Sequence, residues 1–98
     1  MSFENVIAMG KLRKRVEAGE DIFDSVSDMQ LKFFMKTIAM ETTDTIKDYH
    51  EVVAWMLQLN SEARKVICRE YFLKKAKVQY AENFGTIFIG DLRFDELR

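Results

Sequence analysis

The clearest helical pattern in the chain is SDMQLKFFMKTIAM, residues 27–40. Its large apolar side chains recur at steps of three and four residues, which is the spacing of one face of an α-helix. They are Leu31, Phe34, Met35 and Ile38. Ser27 or Asp28 is placed to cap the free amides at the start. The pattern predicts a helix that reaches about Met40 and buries this face in a core.

The residues that follow predict a break and then a third helix. Thr42, Thr43 and Asp44 favour a break because their side chains compete with helical hydrogen bonding. Apolar residues then resume at helical spacing as far as Leu59. They are Ile46, Tyr49, Val52, Val53, Met56 and Leu59, with Trp55 and Leu57 widening the stripe. The alternative is that the second and third helices form one continuous rod.

The N-terminal segment predicts a first helix over residues 3–18. Ser2 is placed to cap it and Gly19 to end it. Gly10 lies inside this helix, where glycine is unfavourable relative to alanine by about 1 kcal/mol. Gly10 marks either a close approach by another element or simple tolerance of a glycine. The polar segment at residues 20–26 is then a link to the second helix, with three apolar residues available for one packed turn.

The C-terminal part predicts one long helix and a change of period. Ser61 is placed to cap a fourth helix over residues 61–84, which Gly85 would end. Two short β-prone runs then surround Gly90-Asp91, where a tight hairpin turn is favoured. A continued helix is the alternative.

The predicted fold class is therefore all-α, a single domain over residues 1–98. It is a compact bundle of three to four helices with a short C-terminal hairpin or turn. The predicted core consists of Phe34, Ile38, Val53, Met56, Ile67, Leu73 and Tyr80. The methionines are expected to be mostly core filler as well.

Composition supports a folded, cytoplasmic protein. Of the 98 residues, 48% are apolar and 32% are charged, and there is no proline to interrupt long helices. No run approaches the roughly 18 apolar residues of a membrane helix, and no signal-peptide pattern is present. Cys68 is the sole cysteine, so an intrachain disulfide is excluded. The net charge of −1 gives no overall attraction to nucleic acid or to an anionic membrane.

Catalytic and metal chemistry are not expected. His50 is the one histidine, so Cys68 and His50 are the sole pair with nucleophile and base character. Both lie within predicted helices, without a glycine-rich turn to supply an oxyanion hole. One cysteine and one histidine do not complete a zinc site, and no phosphate-binding loop is present. We therefore predict a non-enzyme with no cofactor and no metal.

Four acidic residues are candidates for binding a basic partner. They are Glu41, Asp44, Asp48 and Glu51. Their spacing of three, four and three residues would place them in one strip of a continuous helix. Stacked like charges are unfavourable by a few tenths of a kcal/mol each, which favours a binding role for them. The alternative is an ordinary solvated face relieved by Lys47 and by the break near Thr42.

Basic residues suggest an alternative partner, nucleic acid. They are concentrated in the first and fourth helices, and in the fourth they alternate with aromatic residues that are able to stack on bases. The segment QYAENFG, residues 79–85, resembles the Ala-x-x-x-Gly turn of a helix-turn-helix. That resemblance implies a DNA-binding regulator, with the motif near residues 61–94. The resemblance covers seven residues, and the pattern usually has more residues before the apolar positions of its recognition helix.

A second apolar strip is predicted on the far side of the fourth helix. Cys68, Phe72 and Ala76 share it, and Arg69 is one of the basic residues at its border. An aromatic anchor inside a charged rim is typical of a protein interface. The strip is predicted either to contact a partner or to be covered by the C-terminal segment.

The function predicted from these features is protein binding. A small chain with separated acidic and basic faces suits an adaptor, regulator or inhibitor of a larger cytoplasmic protein. The expected partner is another protein, with a second copy of the chain as one alternative. A DNA-binding regulator is the second function and a structural homo-oligomer the third.

Overall fold

The computed structural model describes residues 3–81 and 85–95. In that part of the chain there are four α-helices, one π-helical turn and a three-stranded sheet. They are α1 (Phe3–Glu17), α2 (Asp28–Thr42), α3 (Ile46–Leu57), α4 (Ser61–Cys68), the π-turn (Arg69–Leu73), β1 (Val78–Tyr80), β2 (Thr86–Ile89) and β3 (Leu92–Asp95). The fold is mostly helical with four α-helices, as predicted, but the small antiparallel sheet is more than the predicted short hairpin or turn.

α1 ends and α2 begins as their local signals predict, and the predicted cap of α1, Ser2, lies outside the described residues. Gly19 follows α1 with a φ of 92°, a left-handed conformation that glycine adopts without steric penalty. Ser27 caps α2, since its Oγ accepts a hydrogen bond from the Gln30 N–H at 3.1 Å. The Gln30 side chain in turn accepts from the Ser27 N–H at 2.8 Å, which completes a capping box.

The break between α2 and α3 excludes the continuous rod. Thr43 and Thr45 both have extended backbone, with ψ angles of 152° and 155°. The Thr45 side chain then caps α3 by accepting from the backbone N–H of Asp48 at 3.0 Å. Asn60 caps α4 in the same way, so the prediction that Ser61 is the cap is wrong by one residue.

The fourth helix is much shorter than predicted. It passes at Cys68 into the π-turn, in which the Lys74 N–H donates to the Arg69 carbonyl at 3.1 Å, five residues back. Lys75 then has a φ of 56°, which ends the helix where the sequence has no glycine or asparagine. The helical prediction is wrong for residues 74–81, because residues 78–80 pair with β2 instead, and residues 82–84 of the predicted helix lie outside the described residues.

The C-terminal hairpin prediction is confirmed, and a third strand joins it. The strands are antiparallel in the order β1-β2-β3. Gly90 stands in the turn with a φ of 60°, and a Cβ added there would lie 3.4 Å from the Ala76 Cβ. Ile87 and Ile89 on the central strand are fully buried. The hairpin therefore closes one side of the helical core.

Aromatic rings join the remaining elements at the centre of the core. Phe23, from the link before α2, lies 5.2 Å from Phe34 between ring centroids, and Phe34 lies 5.4 Å from Phe72. The predicted core is confirmed, with some members fully and others partly buried. Met29 and Met40, however, are 64% and 65% exposed, so the prediction of core filler is wrong for them.

None of the helices in residues 3–81 combines the length and the apolar character needed to cross a membrane.

Candidate functional site

The predicted interface strip on the fourth helix is part of the core. Cys68 is completely buried and Phe72 is 6% exposed. Phe72 packs between Phe23, Phe34 and Tyr71. The prediction of an accessible anchor is wrong because Phe72 shares a helical face with Arg64 and Cys68, and the fold buries that face. Ala76 is half-buried beyond the π-turn.

Cys68 is held in a form unsuited to nucleophilic chemistry. Its thiol donates a hydrogen bond to Met35, with 3.7 Å between the Cys68 Sγ and the Met35 Sδ. Burial raises the pKa of the thiol to about 12. The thiolate is the reactive species, and at neutral pH this fold leaves almost none. His50 is exposed on α3, with its ring beside Tyr49.

The basic residues of α4 and the π-turn are engaged within the chain. Arg69 binds Asp21 at 2.9 Å and Asp24 at 2.8 Å, and its hydrogen bond lowers the pKa of Asp24. Arg64 is buried and binds Asp28 at 3.0 Å. These pairs fasten the fourth helix to the link before α2 and to α2 itself. Arg69 therefore lies in an intramolecular ion-pair network rather than at the border of a free binding strip.

The helix-turn-helix prediction is also wrong. Residues 86–95, where the recognition helix would lie, form the β2–β3 hairpin. Without a second helix, the segment has no element to enter the major groove in the manner of that motif.

The acidic strip does not form, because the continuous helix that it requires is broken at residues 43–45. Glu41 remains on α2, Asp44 lies in the break, and Asp48 and Glu51 belong to α3. Asp48 is half-buried in the first turn of α3, and Glu51 is exposed. The four carboxylates therefore have separate surroundings.

Glu41 joins three elements of the fold. Its carboxylate accepts from the Arg13 Nη2 at 2.7 Å and from the Tyr71 hydroxyl at 2.8 Å. Burial acts to raise the pKa of Glu41, but the two hydrogen bonds and the Arg13 charge together bring it below its ordinary value. Burial and the bond to Glu41 raise the pKa of Tyr71 to about 12. The cluster fixes the end of α2 to α1 and to the π-turn.

A cleft of about 390 Å³ lies beside this cluster. Its walls come from α1, α2 and the π-turn, and Phe72 and Ala76 lie in them. Arg13, Glu41 and Tyr71 already satisfy one another across it, and the Arg13 guanidinium also lies 5.8 Å from the centroid of the Phe72 ring. The cleft is therefore a structural junction in which the polar groups of Arg13, Glu41 and Tyr71 are already used.

A different surface combines exposed apolar side chains with space between them. At the break between α2 and α3, a groove of about 290 Å³ is lined by Met40, Thr43, Asp44, Thr45, Ile46 and Tyr49. We call it the junction groove. Ile46 is 78% exposed and Met40 is 65% exposed, the two highest values among the large apolar residues described. Exposed apolar side chains gathered at one place are typical of binding surfaces.

Sequence reasoning placed Ile46 and Met40 in the wrong environment, since it predicts Ile46 on the apolar stripe of α3 and Met40 as core filler. Tyr49 does pack against the core, as predicted. The position of Ile46 and Met40 beside Thr42-Thr43-Asp44 was the available signal, since residues at a helix break have no neighbouring turn on one side. Of the four predicted acidic residues, Asp44 alone lines the groove.

Among residues 3–81 and 85–95, no group of three or more histidine, cysteine, aspartate or glutamate side chains is arranged to hold a metal ion. Comparison of the chain with protein-family models, curated proteins and solved structures finds no match.

Proposed function

We propose that this chain is a non-catalytic protein-binding module, an adaptor, regulator or inhibitor of a larger protein, and that the junction groove is its binding surface. The observation that carries the proposal is the exposure of Ile46 and Met40 around an open apolar groove. Removing such side chains from water contributes about 25 cal/mol per Å² buried, so a partner that covers them gains affinity.

The groove is rigidly built, which favours binding. On the α2 side, the Thr43 hydroxyl donates to the Ala39 carbonyl at 2.7 Å, and Thr42 is hydrogen-bonded to Tyr80. On the α3 side, the Thr45 cap fixes the first turn. A surface that is ordered before binding loses little conformational entropy when a partner arrives.

A pair of methionines on one helix provides the test. Met40 and Met29 both lie on α2 and have nearly equal exposure, but Met40 lines the junction groove and Met29 does not. Native lysate is passed over immobilised wild-type protein, Met40→Glu and Met29→Glu, and the captured proteins are quantified by mass spectrometry. We expect a partner that is retained by wild type and Met29→Glu and lost by Met40→Glu.

Two results would contradict the proposal. Equal capture of the partner by all three proteins would show that the groove is not part of the binding surface. No specific capture by any of them would contradict the proposal of a binding module. Sedimentation equilibrium of the same three proteins identifies self-association. A dimer that only Met40→Glu dissociates would make a second copy of the chain the partner.

A further inference from the structure

Beyond its apolar walls, the junction groove carries negative electrostatic character. Asp44 is exposed and is the one charged side chain in its lining. Of residues 41–51, only Glu41 forms an ion pair within the described chain, and that pair faces Arg13. The charge of Asp44 is therefore available to a ligand.

The end of α2 adds partial negative charge. The last carbonyl groups of an α-helix have no partner within the helix and concentrate the negative end of its dipole. Many helices place lysine or arginine there, but the last turn of α2 contains no basic residue. Met40 and Thr43, at this helix end, line the groove, so the negative end of the α2 dipole borders the same space.

Neighbouring positive groups do little to cancel this character. The N-terminal amides of α3 lie close by, but the Thr45 hydroxyl accepts from one of them, and Asp48 stands in the first turn. Lys47 is the one lysine or arginine in the segment 40–51, and it does not line the groove.

The size of the groove fits a side chain better than a whole ligand. Its volume of about 290 Å³ is at the lower end of the range of about 300–1,000 Å³ for small-molecule sites. Its walls are the apolar parts of Met40, Ile46 and Tyr49. One large apolar side chain is able to fill such a space.

We infer that the junction groove binds a peptide segment in which one large apolar residue is accompanied by an adjacent lysine or arginine. The apolar side chain enters between Met40 and Ile46, and the cation binds Asp44. This inference rests on the proposed function and adds the chemistry of the partner.

Selection from a random peptide library tests this chemistry without a known partner. Displayed 12-residue peptides are selected separately on wild-type protein, Asp44→Asn, Asp91→Asn and Met40→Glu. Asp91 is an exposed aspartate on the turn between β2 and β3 and serves as the matched control. We expect wild type and Asp91→Asn to enrich peptides with a large apolar residue beside lysine or arginine. The basic preference should be lost on Asp44→Asn.

Affinity measurements by calorimetry then quantify the charge. Replacing the basic residue of an enriched peptide by glutamine should weaken binding to wild type up to about fivefold, and the same change should have no effect with Asp44→Asn. Replacing the apolar anchor by alanine should weaken binding to both proteins.

The outcomes separate this inference from the proposed function. Apolar peptides enriched without any charge preference, and bound through Met40, would overturn the inference and leave the proposed function standing. A basic preference that persists on Asp44→Asn would likewise overturn it. No enrichment on wild type over Met40→Glu would overturn both.

Discussion

Two surfaces of this small protein use similar residue types in opposite ways. At α4 and the π-turn, Phe72 is buried and Arg64 and Arg69 are paired with acidic residues of other elements. At the junction groove, Ile46 is exposed and Asp44 has no ion pair within the described chain. The side chains of the first surface contact other parts of the same chain, whereas those of the second are exposed to solvent. A charged rim around an apolar residue therefore indicates a binding surface only when the fold has left both uncovered.

The largest expected effect is that of Phe72→Ala. Removing a ring packed against Phe23 and Phe34 should lower the free energy of unfolding by about 3–5 kcal/mol, measured by urea denaturation. Phe88→Ala is the control. Because Phe88 is 37% exposed on β2, its removal should lower the free energy of unfolding much less. Equal losses of unfolding free energy in the two variants would show that Phe72 contributes no more to the core than the exposed Phe88.

Arg64→Met tests whether the paired arginines hold the fold together. Methionine retains much of the apolar stem, but it cannot bond to Asp28 or to the Leu57 carbonyl, which accepts from the Arg64 Nη2 at 2.6 Å. Leaving that carbonyl unpaired should reduce stability by about 1–3 kcal/mol in urea denaturation. Lys47→Met, at an exposed position beside the groove, should be nearly neutral. Unchanged stability in Arg64→Met would mean that this arginine is as dispensable as Lys47.

Glu41→Gln tests the acid dependence of the cluster that Glu41 forms with Arg13 and Tyr71. The folded-state pKa of Glu41 lies below its ordinary value, so its stabilising contribution is present above the unfolded-state pKa of about 4.3. That contribution is lost as the pH falls through the lower folded-state pKa. The stability advantage of wild type over Glu41→Gln should therefore be constant above about pH 5 and should shrink below about pH 4.3.

The control for this measurement is Glu51→Gln, an exposed glutamate of α3 without an ion pair in the described chain. It removes one exposed carboxylate outside the cluster, so an effect that it shares with Glu41→Gln comes from the lost charge alone. A wild-type advantage over Glu41→Gln that grows on acidification would show that the sign of the pKa shift is wrong.

The smallest expected effect on stability lies at the groove itself. Ile46→Ala should change the free energy of unfolding by no more than about 0.5 kcal/mol, because the side chain is already in water. Ile67→Ala, at a fully buried position of α4, should lose about 2–5 kcal/mol by the same measurement. A large loss for Ile46→Ala would mean that Ile46 stabilises the fold and is not free for a partner.

Helix ends and turns that depend on local signals could be predicted from the sequence alone. Gly19 ends α1, the pattern Ser27 to Gln30 starts α2, and Gly90-Asp91 turns the C-terminal hairpin. Each of these depends on hydrogen bonds or backbone angles within a few residues, which a residue type specifies directly.

The end of α4 and the choice of covered surfaces depend on tertiary contacts and could not be predicted from the sequence. Val78, Gln79 and Tyr80 also fit a helical stripe, but pairing with β2 supplies their backbone hydrogen bonds from residues about ten positions away. Periodicity likewise shows which side chains share a face without showing which face another element covers. Phe72 is buried by rings from two other segments, whereas Ile46 stands at a break with no such neighbour. Burial depends on contacts between distant parts of the chain, so the junction groove became visible only in the folded protein.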